Sequence, residues 1–216
     1  MAKKVLITGG STRTMIDKVR AVTNIFSGRT GANISKYFQE NGYDVTFITS
    51  NPLVVEGFTG NLISYNTFDE LYDLMQNEIC NNSYDIIIHS AAVSDYKCSA
   101  VCVFDENKDF VELDSSGKIA SNNKELYLKM TPTVKIIDKI RGWGFTGKLI
   151  KFKLQVDISD EELLSIARKS RTHSNADIIV ANCLEWATKR AYIIDDKNER
   201  SIERSELAKV LFDIVG

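Results

Sequence analysis

The sequence predicts an α/β fold, a doubly wound and mostly parallel sheet of Rossmann-like type with a flap or hairpin excursion. Three observations carry that prediction. Residues 5–8, 45–49 and 85–89 are short runs, apolar on both faces, as strands covered on both sides of a parallel sheet must be. Segments with helical spacing alternate with them through the first ninety residues. The first strand runs straight into Gly9 and Gly10, where a sheet of this kind gathers its ligands.

The elements follow in order. After the first strand, residues 30–41 place Ile34, Tyr37 and Phe38 on one helical face, and Gly42 suits the position just past a helix end. Residues 45–49 form the second strand. Thr67 and Glu70 are spaced as a capping box ahead of Leu71, Leu74 and Met75. Residues 85–89 form the third strand, followed by the small pair Ala91 and Ala92. Residues 97–121 are polar and are expected to leave the sheet as a mobile flap or hairpin. Residues 125–130 alternate as a half-buried strand, and Thr131 with Pro132 reads as the N-cap and first residue of a helix. Residues 148–155 are another strand, and Ser159 with Glu162 spells a second capping box before Leu163, Leu164 and Ile166. Residues 177–182 are a strand ending on Asn182. A short strand pair (191–194 and 201–202) and a helix (205–215) complete the chain as one domain over residues 1–216.

Composition narrows the function. A formal net charge of -2 gives no electrostatic case for nucleic acid or an anionic membrane. No apolar run approaches the roughly 18 residues that a membrane span needs. Cys80, Cys98, Cys102 and Cys183 are too scattered for a disulfide framework or a zinc site, so reduced thiols and a cytoplasmic location are expected. No metal motif is present in the sequence.

The most informative stretch is residues 19–31. Gly9 and Gly10 after a strand, and Gly28 and Gly31 at a helix start, offer backbone N–H groups to a phosphate. Arg20, Asn24 and Ser27 lie between them. Each has a plain alternative: loop glycines allow tight turns, Asn24 suits a local cap, and Arg20 suits a surface charge. His89 suits a core strand and His173 a solvated helix face. Lys118 by default is solvent-exposed, Phe152 a core strand residue, and Asn182 a cap. Asp95 after the third strand could bind a hydroxyl, an amine or a metal, or cap a turn. Hydride chemistry is disfavoured: no third glycine follows Gly10 at dinucleotide spacing, and no tyrosine has a lysine four residues on.

Taken together, these blocks resemble phosphopantothenate–cysteine ligase, in its free-standing form. The resembling segments are Thr8 to Thr12, Asp17 to Arg20, Thr23 to Gly31, Ala91 to Tyr96, Gly117 to Ile119, Phe152 to Asp157, and Ala167–Arg168 with Asp177 to Asn182. The resemblance implies that CTP or ATP, with Mg²⁺, activates the carboxylate of 4′-phosphopantothenate as an acyl-nucleotide. The amine of L-cysteine then forms the amide. It implies catalytic roles for Asn24 and Lys118, with Lys118 on the flap. It implies nucleotide contacts from Gly9, Ser27, Gly28, Gly31, Asp95, Phe152 and Asn182. It implies substrate contacts from Arg20, Asn24, Ala91, Ala92 and Asp95, with Arg20 reaching across a homodimer interface. Three positions depart from the pattern. Phe26 stands where the family has a serine, and Ser170 and Ser174 stand where CTP-using members have lysines. A nicotinamide-dependent reductase and a non-catalytic nucleotide-binding module are the rival readings.

Overall fold

The computed structural model describes residues 2–106 and 109–216. Asn107 and Lys108, in the predicted excursion, lie outside the described residues. In chain order the elements are β1 (Lys4–Gly9), β2 (Arg13–Met15), β3 (Ala21–Thr23), α1 (Arg29–Glu40), β4 (Asp44–Thr49), β5 (Asn61–Ser64), α2 (Phe68–Asn81) and β6 (Ile86–His89). There follow β7 (Tyr96–Phe104), β8 (Phe110–Glu112), β9 (Tyr127–Pro132), β10 (Lys148–Gln155), α3 (Asp160–His173), β11 (Ile178–Cys183), β12 (Arg190–Ile194), β13 (Glu199–Glu203) and α4 (Leu207–Val215).

Eight strands form the main sheet in the order β5-β4-β1-β6-β10-β11-β12-β13. The first six are parallel, and β12 and β13 are antiparallel. The chain runs outward from β1 through β4 to β5, then restarts at β6 and runs the other way. That reversal leaves a crevice beyond the carboxyl ends of β1 and β6.

Alternation along β1 builds the two cores. Val5 and Ile7 point to the face that holds Ile34 and Phe38 of α1 and Leu211 of α4. Leu6 points to the opposite face, with Leu71 and Met75 of α2. These side chains are almost wholly buried, and each contributes about 1.5–3 kcal/mol by leaving water. Phe212 of α4 meets Tyr37, Phe38 and Tyr43 edge-on at 5.3–5.7 Å, fixing α4 against α1. Thr67 and Glu70 form the reciprocal box at the start of α2. Ser159 Oγ accepts from Glu162 N at the start of α3. His89 is a satisfied core residue: its Nδ1 shares a 2.9 Å hydrogen bond with Thr8 Oγ1, and burial, then the nearby Lys151 charge, lowers its pKa to about 4.

Two small sheets stand off the main one. β2 and β3 form a hairpin, and β7 pairs with both β8 and β9. Here one expectation is corrected. Thr131 and Pro132 do not open a helix; they extend β9, opposite Lys97 and Tyr96. β9 is an edge strand, where a proline costs no ladder bond on its solvent side. The helical turn that follows is a single 3₁₀ turn at Ile136–Asp138. The strands β2, β3 and β5 were not expected. They are three or four residues long and lack a buried alternating stripe, so they carry little periodic signal.

Candidate functional site

The site begins where two backbone turns press together at the mouth of the crevice. Gly10 and Gly28 have φ of +83° and +85°, a left-handed conformation that side chains resist. A Cβ on Gly28 would fall 2.6 Å from the backbone nitrogen of Gly10. The two turns can therefore stack only as glycines. Gly31 is equally confined, its missing Cβ 2.9 Å from Thr8 O and 3.0 Å from Ser90 Oγ. Gly9 lies beneath, against the ring of Phe47. Gly28 caps α1, which has no side-chain cap and no acid in its first turn. The positive end of this twelve-residue helix is thus free to meet an anion.

The loop after β6 is zipped to this turn. Ala92 N donates to Gly10 O at 2.8 Å, Thr12 N donates to Ala92 O at 3.3 Å, and Ser94 N donates to Thr12 Oγ1 at 2.8 Å. Asn24 joins the same seam, its Nδ2 donating to Ala92 O at 3.2 Å. The structure thus brings Asn24, the glycine turns and the Ala91–Ala92 pair together. Ser27 sits exposed on the rim, its carbonyl accepting from Asn51 Nδ2.

Behind the seam lies a two-lobed cleft. The first lobe, about 280 Å³, is lined by Gly28, Gly31, Ala91, Ala92, Phe152 and Asn182 among the expected residues. The second, about 270 Å³, has Asp95 on its wall, paired with Lys135. Ala91, Val93, Phe152 and Lys153 line both lobes. Phe26, the first departure, is one of the residues lining the first lobe.

Two further cations in the cleft were not expected. Arg204 donates from Nη1 to Asn182 Oδ1 at 3.1 Å and from Nη2 to Thr30 Oγ1 at 2.5 Å. Both partners are neutral, and burial lowers the pKa of Arg204 without discharging it. A guanidinium can only donate, so Asn182 turns its oxygen to Arg204, which leaves its NH₂ for another acceptor. Lys151, on β10, is buried; its Nζ donates to Ser174 Oγ at 2.5 Å and to Ser170 O at 3.1 Å. Burial lowers its pKa to about 8, against the opposing pull of Asp138. Arg204 escaped notice because its partner Thr30 is 174 residues away in sequence. Lys151 escaped notice because it stands in an otherwise ordinary strand.

Arg20 and Lys118 lie apart from both lobes. Asp17 is buried, and its Oδ1 accepts from Val19 N and Arg20 N. Its Oδ2 accepts from Arg20 Nε at 2.9 Å, from Arg20 Nη2, and from Ile119 N at 3.1 Å. Arg20 Nη2 also donates to Ile119 O at 2.7 Å, and Lys18 N donates to Gly117 O at 3.1 Å. The guanidinium of Arg20 is thus engaged within its own chain. This latch ties the segment carrying Lys118, itself exposed, to the β2–β3 hairpin on both sides.

The Arg20 guanidinium, aided by the backbone N–H donors, holds the Asp17 carboxyl well below the usual carboxylate range. The latch is therefore at full strength above the unfolded pKa of about 3.9 and weakens only as pH falls through the lower folded value. Asp17→Asn is expected to speed amide exchange at Lys18 and Ile119 at neutral pH, where the native protein protects both. Unchanged exchange there would show that the carboxylate does not hold the segment.

The fold and the cleft define a class: a doubly wound α/β protein with an anion-directed crevice at its topological switch point. Residues 1–214 match the family described as DNA/pantothenate metabolism flavoprotein C-terminal domain, and the chain belongs to that family. The Coenzyme A biosynthesis bifunctional protein CoaBC of Thermococcus kodakarensis is 34% identical over 183 residues, covering 85% of this chain and 42% of the relative. The chain thus spans less than half the length of that relative. The crystal structure of the DNA/pantothenate metabolism flavoprotein from Streptococcus pneumoniae aligns with a TM-score of 0.88 at 31% identity, covering 99% of this chain and 98% of that one. A Cab2 mutant in complex with phosphopantothenate-cysteine shares the fold, with a TM-score of 0.72 at 16% identity over 99% of this chain and 85% of that one.

Proposed function

We propose that this chain is a phosphopantothenate–cysteine ligase acting in coenzyme A biosynthesis. The observation that carries the reading is the convergence of the Asn24 amide, the Ala91–Ala92 loop and the open end of α1 on one cleft. Membership of the family and the similarity to CoaBC support it.

In this reading a carboxylate oxygen of 4′-phosphopantothenate attacks the α-phosphorus of CTP or ATP. The bond from that phosphorus to the bridging oxygen breaks and pyrophosphate leaves. The amine of L-cysteine attacks the acyl carbon and loses a proton, the nucleoside monophosphate departs, and the amide is formed. The N–H groups around Gly28 and Gly31 hold phosphoryl oxygens, with Gly9 and Ser27 shaping the turn and rim. Phe152 and the NH₂ of Asn182 line the nucleotide lobe. Asn24 uses one amide N–H on Ala92 O and has a second for an oxygen of the acyl-nucleotide. Ala91, Ala92 and Asp95 border the substrate, and Lys118, which stands apart from both lobes in this structure, reaches the phosphates only when its segment moves.

Among the described residues no group of three His, Cys, Asp or Glu could hold a metal ion. In this reading Mg²⁺ enters with the triphosphate, as part of the substrate. A homodimer belongs to the same reading, and Arg20 serves the neighbouring site in it only by releasing part of its hold on Asp17 and Ile119. The exposed stack of Phe104 and Phe110 beside Tyr127, on the outlying sheet, supports such pairing.

The test is direct. Purified protein with 4′-phosphopantothenate, L-cysteine, Mg²⁺ and either CTP or ATP is expected to release pyrophosphate and the amide product in equal amounts, read by mass spectrometry and a coupled pyrophosphate assay. No product with either nucleotide would overturn the reading.

A further inference from the structure

Two cations, Arg20 and Lys118, are mounted around one buried carboxylate. The side chain of Asp17 is wholly buried, whereas that of Arg20 is 37% exposed. An anion arriving from solvent therefore meets the guanidinium and not its counter-ion.

The guanidinium is a planar fork with two edges. Along one edge, Nε and Nη2 both donate to Asp17 Oδ2. The other edge is made by Nη1 and Nη2. Nη2 has two N–H groups and both are engaged, one with Asp17 Oδ2 and one with Ile119 O at 2.7 Å. Among the described residues, Nη1 donates to nothing. A phosphate held by two parallel N–H bonds on this second edge needs the hydrogen that Ile119 O now takes. Such an anion displaces the Ile119 carbonyl, while Asp17 keeps the guanidinium aimed through the first edge.

That carbonyl belongs to a lightly held segment. The chain between β8 and β9 is neither helix nor strand. Among the described residues, every hydrogen bond that ties residues 114–126 to a distant part of the chain goes to Asp17, Lys18 or Arg20. Ile119 N donates to Asp17, Ile119 O accepts from Arg20, and Gly117 O accepts from Lys18 N. The buried Ile119 side chain seats the segment, and exposed Lys118 stands between the two tied residues. Removing the Arg20 bond weakens this small set directly. The linkage is reciprocal: an anion on Arg20 loosens the segment, and a loosened segment gives Arg20 its second edge.

We propose that the Ile119 carbonyl is an internal competitor for the anion-binding edge of Arg20, so that a phosphate group taken by Arg20 releases the segment carrying Lys118. Assigning that phosphate to 4′-phosphopantothenate rests on the ligase reading above; the competition itself can be measured without it.

Inorganic phosphate, which carries neither pantothenate nor nucleotide, is the probe. The readout is hydrogen exchange at the Lys18 and Ile119 amides of the full chain, compared with chloride at equal ionic strength. Phosphate is expected to speed both amides at least about threefold and to leave Ile7, in the central strand, unchanged. Arg20→Lys keeps a cation beside Asp17 but lacks the fork, and is expected to abolish the phosphate effect. Ile119→Ala removes the side chain that seats the segment and keeps both members of the Asp17–Arg20 pair. Followed at Lys18, it is expected to reach half-release at a phosphate concentration at least about threefold lower. A purely structural latch would open more readily in Ile119→Ala and stay indifferent to phosphate.

Exchange that phosphate does not speed in the native chain, or speeds equally in Arg20→Lys, overturns the proposal. Arg20-dependent release by phosphate in a chain that forms no amide would overturn the ligase reading and leave the competition standing. Amide formation in a chain whose exchange is indifferent to phosphate would do the reverse.

Discussion

Asn24→Asp is expected to lower turnover with phosphopantothenate, cysteine and nucleotide about 100-fold or more, with the fold intact. The native amide spends one N–H on Ala92 O at 3.2 Å. The carboxylate has no N–H at all. It would set a negative charge against that carbonyl and, in the ligase reading, against the phosphoryl oxygens placed at the glycine turns. Losing one preorganised donor at a developing negative charge typically costs about 3 kcal/mol of barrier, and like-charge repulsion adds to it. Asn24 is exposed and packs into neither core, so the unfolding midpoint should stay within experimental error. Rapid-quench analysis separates acyl-nucleotide formation from amide formation and shows which step slows. Native turnover in Asn24→Asp would remove this residue from the chemistry.

The second large effect is expected at Gly28. Gly28→Ala adds a methyl group 2.6 Å from Gly10 N and 2.9 Å from Gly10 Cα. Both atoms are backbone, so no rotamer can relieve the clash. The φ of +85° adds left-handed strain. Strain and overpacking together should destabilise the protein by about 2–4 kcal/mol. They should also part the stacked turns and, in the ligase reading, abolish nucleotide binding. Gly42 provides the control. It has the same φ of +85°, but a methyl group there would meet nothing within 4 Å. Gly42→Ala should therefore cost only the left-handed term, about 1–2 kcal/mol. Urea unfolding of the two variants isolates the contact. Equal losses would mean that the stacking of the two turns contributes nothing.

Much of the fold could be read directly from side-chain patterning. Val5, Leu6 and Ile7 are apolar whichever way they point, and that can only mean a strand covered on both sides. Thr67 and Glu70 announced α2 because their pairing is local, closed within four residues. Thr131 and Pro132 misled for the same reason. Proline at a helix start is a local preference, whereas the pairing of Pro132 with Tyr96 is a long-range fact that no local window holds. The site divides along the same line. Gly10 and Gly28 were legible as turn formers, and their mutual contact was not. Arg204 and Lys151 were invisible as site residues because their significance lies in what they lack. Lys151 is buried and Arg204 half-buried, each bonded to neutral oxygens, and only three-dimensional neighbours reveal that.

The bond from Arg204 to Thr30 has a consequence for how the protein is made. Thr30, at the start of α1, is translated 174 residues before Arg204, and the Phe212 ring that steadies α1 follows later still. A nascent chain can form β1 and the first crossover well before it can fill the crevice with its guanidinium. A fragment that ends before Arg204 therefore folds its glycine turns without that guanidinium in the crevice.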